Sequence, residues 1–268
     1  DVLHAHRGKD HWIAAAALMG LAHPPLLVRT RHVVTPVHGH CLNRWLFGRR
    51  TELYLCASAA VLEVVRRTAP FVPNPMVIAG GLNARHLSQA DDDAAAAFRA
   101  AHGIAPDVRL VTCLARLAPV KNQEGLIRAF PAVRAACPQA RLVFAYNRGD
   151  GFQPGLARLA AELGVADHIH WLGRVEAVGA LLHASAVSVI ASIGSEGWSR
   201  VAVESGYCGV PVASTPVGSV PEIVEHGVTG LIAPNMMPAS IAKAIVQLLS
   251  DPDRAQAMGA AARERVRA

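Results

Sequence analysis

The sequence predicts an α/β protein of two parallel-sheet domains, the first of them incomplete. Three observations carry this. Short β-branched apolar runs alternate with longer Ala/Leu/Arg-rich stretches of helical period along the 268 residues. The strand-like runs are apolar throughout rather than alternating, the mark of parallel sheets covered on both faces. They are also too numerous for one comfortable open sheet.

In chain order, strands are expected at residues 1–5, 26–29, 53–57 and 76–79. Six more follow at 109–114, 141–145, 168–171, 187–191, 210–214 and 230–232. Between them, Leu126, Ile127, Phe130 and Val133 recur at helix spacing, as do Leu156, Leu159, Ala160 and Leu163, and then Ile241, Ile245, Leu248 and Leu249. The polar helical stretch 91–102, closed by Gly103 and Pro106, is the expected boundary. It divides the chain into a partial domain at 1–104 and a complete one at 105–268. The opening DVLHAH reads as the inside of a strand and lacks a start methionine, so a chain cut at both ends is expected.

Composition narrows the function. Hydrophobic residues make up 52% and charged residues 17%, which excludes a disordered chain, and no apolar run is long enough to span a bilayer. Five scattered cysteines with no CxxC point to reduced thiols and a cytoplasmic protein. The net charge is +6, yet aromatics are only 5% and show no basic-aromatic surface pattern, so nucleic acid is not the expected partner. An anionic substrate, an anionic membrane face or a source that favours arginine accounts for the charge equally well.

The chemistry concentrates at two turns. SEGWSRVAVE, at 195–204, follows a strand and opens a helix. Ligands of open parallel sheets bind outside the carboxyl ends of the strands, and a helix N-terminus there offers unpaired N–H groups. The amides of Gly197, Trp198 and Ser199 are therefore an expected anion cradle. Glu204, about one and a half turns into the helix, can accept two hydrogen bonds from a ribose diol. Glu196, in the turn, can hold hydroxyls of another ring. Either glutamate alone reads as a solvated surface acid; the pair around a glycine turn does not. The second turn, ARLAPVKNQEG at 115–125, carries Arg116 and Lys121 before a helix capped by Asn122. A cation just outside a helix N-terminus is disfavoured by about 0.3–1 kcal/mol, and an anion bound between Arg116 and Lys121 reverses that sign. Two cations, two carboxylates and helix-end amides together suit a nucleotide-diphosphate sugar.

These stretches resemble the retaining glycosyltransferases of family four. SEGWSRVAVESGYCGVPVASTPVGSVPEIVEHGVTGLIAP is similar to their E-x7-E region, and ARLAPVKNQEGLIRAF to their Arg…Lys diphosphate segment. IHWLGRVEAVGALLHASAVSVIAS is similar to the strand, glycine and helix before the first glutamate, and DVLHAH and LLVRTRH to two strands of the acceptor-side domain. The resemblance implies the GT-B fold, two Rossmann-like domains facing across a cleft. It implies that Arg116 and Lys121 bind the donor diphosphate, that Glu204 holds the ribose, and that Gly173 and Arg174 lie near the base. Glu196 and His32 would meet the reacting sugar, with Gly197, Trp198 and Ser199 on sugar and phosphate oxygens. It further implies transfer with retention to a hydroxyl of a glycan or glycolipid, in bacterial envelope polysaccharide or lipopolysaccharide synthesis, with no cofactor and no metal. The family's usual Glu-Gly-Phe-Gly turn is Glu196-Gly197-Trp198-Ser199 here, which bears on donor preference.

Competing signals are weaker. GDGFQPG at 149–155 misses the dinucleotide spacing by one residue, and no acid closes a later strand for a ribose. Asp91–Asp93 and Asp251–Asp253 have Asp-x-Asp spacing but sit at helix starts, where acids cap amides. The pairs His4/His6, His38/His40 and His168/His170 have zinc-like alternation without a completing acid or thiol. Trp45, in the basic stretch LNRWLFGRR, belongs either to a helix packed on the sheet or to a surface that meets an anionic membrane at the inner face. A sugar-nucleotide epimerase of the same fold and a binding module without turnover are the alternative functions.

Overall fold

The computed structural model describes residues 1–87 and 91–268. The order of elements is β1 (Val2–Ala5), α1 (Gly8–Ala17), β2 (Leu26–Arg31), α2 (Cys41–Trp45), β3 (Leu53–Cys56), α3 (Ala59–Thr68), β4 (Met76–Val77), then α4 (Asp92–Ala101). It continues with β5 (Arg109–Leu114), α5 (Gln123–Ala136), β6 (Ala140–Ala145), α6 (Gln153–Glu162), β7 (Ile169–Gly173), α7 (Val178–His183), β8 (Val187–Ile190) and α8 (Arg200–Tyr207). The last elements are β9 (Val212–Ser214), α9 (Val220–Ile223), β10 (Gly230–Ile232), α10 (Pro238–Ser250) and α11 (Pro252–Arg267). A strand forms at each of the ten expected places, with ends shifted by a few residues, as hydrogen-bond assignment commonly shifts them.

Two compact units result. The first comprises Asp1–Gly81 with Ser195–Trp198, the second Leu82–Gly194 with Ser199–Ala268. The first holds a parallel sheet in the order β1-β2-β3-β4. Its core joins Ala14 and Ala15 of α1 and Leu18 just after it, Val61 and Val65 of α3, and Leu27, Tyr54 and Cys56 of the strands. The stretch LNRWLFGRR forms α2 and a π-helical turn, Leu46–Arg50, that buries Leu46 and Phe47. Arg50 lies over the Trp45 ring and Arg44 over Phe71, so the two guanidinium groups cover apolar rings.

The second unit holds a parallel sheet in the order β10-β9-β8-β5-β6-β7. Strands β5, β6, β8 and β9 are buried on both faces, as their largely apolar runs require, while the edge strand β7 is half-buried. Val111, Cys113, Leu142 and Phe144 pack with Leu126, Ile127 and Phe130 of α5 and Ile241 and Ile245 of α10. On the other face Leu110, Val143 and Ala145 pack with Ala95 and Phe98 of α4 and Leu181 of α7. Helix α4 is thus part of the second unit's core, whereas the sequence boundary after residue 104 assigns it to the first domain. Its polar residues cap and clamp: Asp91 accepts from the Ala94 amide at 2.8 Å, Asp92 meets His183 at 3.0 Å, and Arg99 donates to the Ala184 carbonyl at 2.6 Å.

Among the described residues no helix is long and apolar enough to cross a membrane. Nor do three His, Cys, Asp or Glu side chains gather there as a metal-holding group. His4 instead bonds the Thr30 hydroxyl at 2.7 Å and His168 the Arg134 guanidinium at 3.1 Å.

Candidate functional site

The chain enters the second sheet at β5, builds β6 and β7 to one side, then returns to place β8 against the other side of β5. This reversal is the switch point at which parallel sheets open a crevice. An open pocket of about 450 Å³ lies there, lined by Ala115 and Arg116 after β5, Tyr146 and Asn147 after β6, Arg174 and Val175 after β7, and Arg200, Val201 and Glu204 of α8.

Glu204 is expected as a ribose ligand, and it is no solvated helix acid. Its side chain is only 13% exposed and meets Arg200 at 3.4 Å. Burial pushes its carboxyl above the usual range, while Arg200 pulls it back. Arg116 and Arg174 share this pocket with Glu204, as the sequence groups them. Gly173, with φ at +60°, is the left-handed residue that turns the chain from β7 toward Arg174.

The loop carrying Arg116 and Lys121 is built from its neighbours. Asn122 caps α5 through its side chain, which accepts from the Gly125 amide at 3.1 Å, and itself adopts a left-handed backbone with φ at 53°. Lys121 closes the single 3-10 turn Pro119–Lys121 before that cap, rather than lining the pocket. Gln123, 2% exposed, donates to the Arg116 carbonyl at 2.9 Å. The Val120 carbonyl accepts from the Ile193 amide at 3.0 Å, tying this loop to the end of β8. The glycine loop GDGFQPG serves the same place. A Cβ on Gly149, whose φ is +99°, would stand 2.1 Å from the Leu117 carbonyl oxygen. Gly149→Ala is expected to destabilise the chain by about 2–4 kcal/mol, from strain plus overpacking, and to weaken nucleotide binding by displacing Arg116. Urea unfolding and nucleotide titration check both effects; a parental midpoint would refute the close approach.

The remaining expected residues fall in the first unit or at its junction in sequence. Glu196 is 6% exposed. Ser195 before it holds a left-handed backbone with φ at 61°, a strained setting for a non-glycine residue. Gly197 abuts the His32 main chain: a Cβ there would stand 1.9 Å from the His32 carbonyl oxygen. The Trp198 indole lies against Gly80, where a Cβ would come within 2.5 Å of the ring. His32 bonds His6 at 3.0 Å, and burial, then His6, Arg29 and His4, lower its imidazole below the ordinary value.

One expectation is corrected. Ser199 was to lend its amide to an anion cradle, but that amide donates to the buried Ser219 hydroxyl at 3.0 Å, and Ser199 is 2% exposed. The amide is already engaged, by a partner twenty residues away that local spacing does not reveal. Three residues of the pocket carry no sequence motif: Tyr146, Asn147 and Arg200. The first two follow the carboxyl end of β6, so the strand-end rule finds them once the strand is placed. Arg200 is four residues before Glu204, the spacing that brings helix side chains together.

Residues 95–265 match the family described as Glycosyl transferases group 1. Over 275 residues the chain is 34% identical to a GDP-mannose-dependent alpha-(1-6)-phosphatidylinositol monomannoside mannosyltransferase of Mycolicibacterium smegmatis, covering 94% of this chain and 70% of that protein. It is 30% identical over 278 residues to a GDP-mannose-dependent monoacylated alpha-(1-6)-phosphatidylinositol monomannoside mannosyltransferase of Corynebacterium glutamicum, covering 96% and 71%. Its fold matches the crystal structure of Anabaena Alr3699/HepE, solved with UDP and glucose, at a TM-score of 0.89 and 23% identity, over 99% of this chain and 73% of that one. The fold is GT-B, and the chain belongs to the group 1 glycosyl transferases, enzymes that transfer a sugar from a nucleotide sugar.

Proposed function

We propose that the chain transfers mannose from GDP-mannose, with retention, to a hydroxyl of an inositol-containing envelope glycolipid. The observation that carries this is the switch-point pocket, where a buried carboxylate, Glu204, stands among Arg116, Arg174 and Arg200. The mannosyltransferase relatives supply the donor and the acceptor class. In this reading Glu204 accepts from the ribose hydroxyls, and Gly173 and Arg174 border the base. Arg116 and Lys121 neutralise the diphosphate as the bond to the anomeric carbon breaks, so no metal is required. Gly197 and Trp198 approach the sugar, and Glu196 and His32 hold its hydroxyls. The acceptor hydroxyl attacks on the face the phosphate leaves, and its proton passes to the departing phosphate oxygen. The nucleoside diphosphate is released and the new linkage keeps the α configuration. A lipid acceptor places the reaction at an anionic membrane surface, toward which the exposed Leu42, Arg44 and Arg49 would turn.

The test is incubation of the chain with GDP-mannose, phosphatidylinositol monomannoside vesicles and EDTA. An α-linked dimannoside by mass and proton NMR is the expected product. A β linkage would overturn retention. A changed sugar nucleotide in the absence of acceptor would establish the epimerase instead, and binding without turnover the inert module.

A further inference from the structure

Arg200 has no role in the reading above, yet it lines the pocket and holds the one carboxylate in it. Its Nε stands 3.4 Å from Glu204 Oε1, a single contact longer than a charge-assisted hydrogen bond, and its side chain is 76% exposed against 13% for Glu204. The pair is therefore loosely made and easily broken. Burial disfavours the bare charge of Glu204, and Arg200 offsets part of that cost. Arg200 is also the first residue of α8, directly after the N-cap Ser199, and the first turn of the helix holds no acid. The helix dipole opposes a cation there and favours an anion. Among the described residues the pocket lining carries Arg116, Arg174 and Arg200 against one carboxylate; Arg174 also meets Glu176 beside the pocket at 3.8 Å, so Arg116 and Arg200 share Glu204 as the one acid of the lining.

We propose that Arg200 is a stand-in for the donor: it neutralises Glu204 in the empty pocket, and a nucleoside diphosphate displaces it. The ribose hydroxyls then donate to Glu204 in its place. The released guanidinium, anchored at the end of α8 that favours anions, turns to the phosphate oxygens. One substrate thus satisfies both halves of a pair that the free protein holds together. The exchange gives the pocket its preference for a ligand bearing both a diol and a phosphate, since a ligand with only one of them leaves Glu204 or Arg200 unmatched. This rests on the nucleotide reading of the pocket.

The test is Arg200→Met, an exposed position where the change leaves the core intact, verified by a single cooperative melting transition. GDP binding is measured by calorimetry, and guanosine binding by displacement of a fluorescent GDP analogue. GDP is expected to bind roughly tenfold more weakly, with a shallower dependence on salt, because one charge-assisted contact to phosphate is gone. Guanosine is expected to bind as tightly as before or more tightly, because its competitor for Glu204 is gone. Arg200→Lys should recover part of the GDP affinity. Unchanged GDP affinity in Arg200→Met would overturn the proposal. So would an equal loss for GDP and guanosine, which would make Arg200 a support for Glu204 only. Glu204→Gln separates the two levels: if it binds GDP as well as the parent, the nucleotide reading itself fails, whatever Arg200 does.

Discussion

Gly197→Ala is expected to abolish sugar transfer, lowering the rate by roughly a hundredfold or more while the protein still folds. The methyl group would stand 1.9 Å from the His32 carbonyl oxygen, 2.5 Å from its carbonyl carbon and 3.1 Å from the Val33 amide nitrogen. All three are main-chain atoms and none can rotate away as a side chain would. The turn must therefore move, and Glu196 and Trp198 move with it. Misplacing a substrate-positioning group by about 1 Å is enough to cost on the order of a hundredfold. Overpacking of this kind also costs about 1–3 kcal/mol of stability. Gly151→Ala is the control, because a methyl there meets nothing within 4 Å. The comparison of the two variants by transfer rate and thermal melting decides the matter. Near-parental transfer by Gly197→Ala would show that the turn can retreat from β2 without penalty.

Glu204→Gln is expected to lose about 10–100-fold in nucleotide affinity and to be no less stable at neutral pH than the parent. The affinity loss follows from removing a charged acceptor of two hydroxyl hydrogen bonds. The stability follows from the sign of the shift. Burial raises the folded carboxyl above its ordinary value, so the folded state binds this proton more tightly than the unfolded one. The group favours folding while protonated, and that contribution fades as pH rises from its ordinary value through the raised one. Above that window the parent carries a buried charge that glutamine does not. Nucleotide binding runs the other way: it uses the ionised carboxylate and weakens as pH falls through the raised value. Melting curves and GDP titrations at about pH 5 and pH 7.5 read both trends. A clear loss of melting temperature with unchanged binding would make Glu204 a structural partner of Arg200.

Glu204 shows how a site can be partly legible. Its position eight residues after Glu196, within a helix that follows a strand, pointed to a ligand, and the structure buries it at the switch point with Arg116 and Arg174. Arg200 stood in the same quoted stretch with no motif to mark it, because a lone arginine on a helix gains meaning only from what faces it.

Much of the architecture was set locally. The runs at residues 110–114 and 187–191 read as buried strands, because a strand hides five successive apolar or small side chains on two faces at once. Asn122, Asp91 and Asp251 had to begin helices, since their short acceptors satisfy amides a few residues ahead, and each does so. The tertiary structure alone decided that β8 returns beside β5, that Phe98 carries α4 into the second unit's core, and that Ser219 takes the Ser199 amide. Hydrogen-bond caps and side-chain periodicity act over about four residues, so the sequence displays them directly. Sheet order and buried polar partners are settled by which distant surfaces can be desolvated together, and that depends on the whole chain at once.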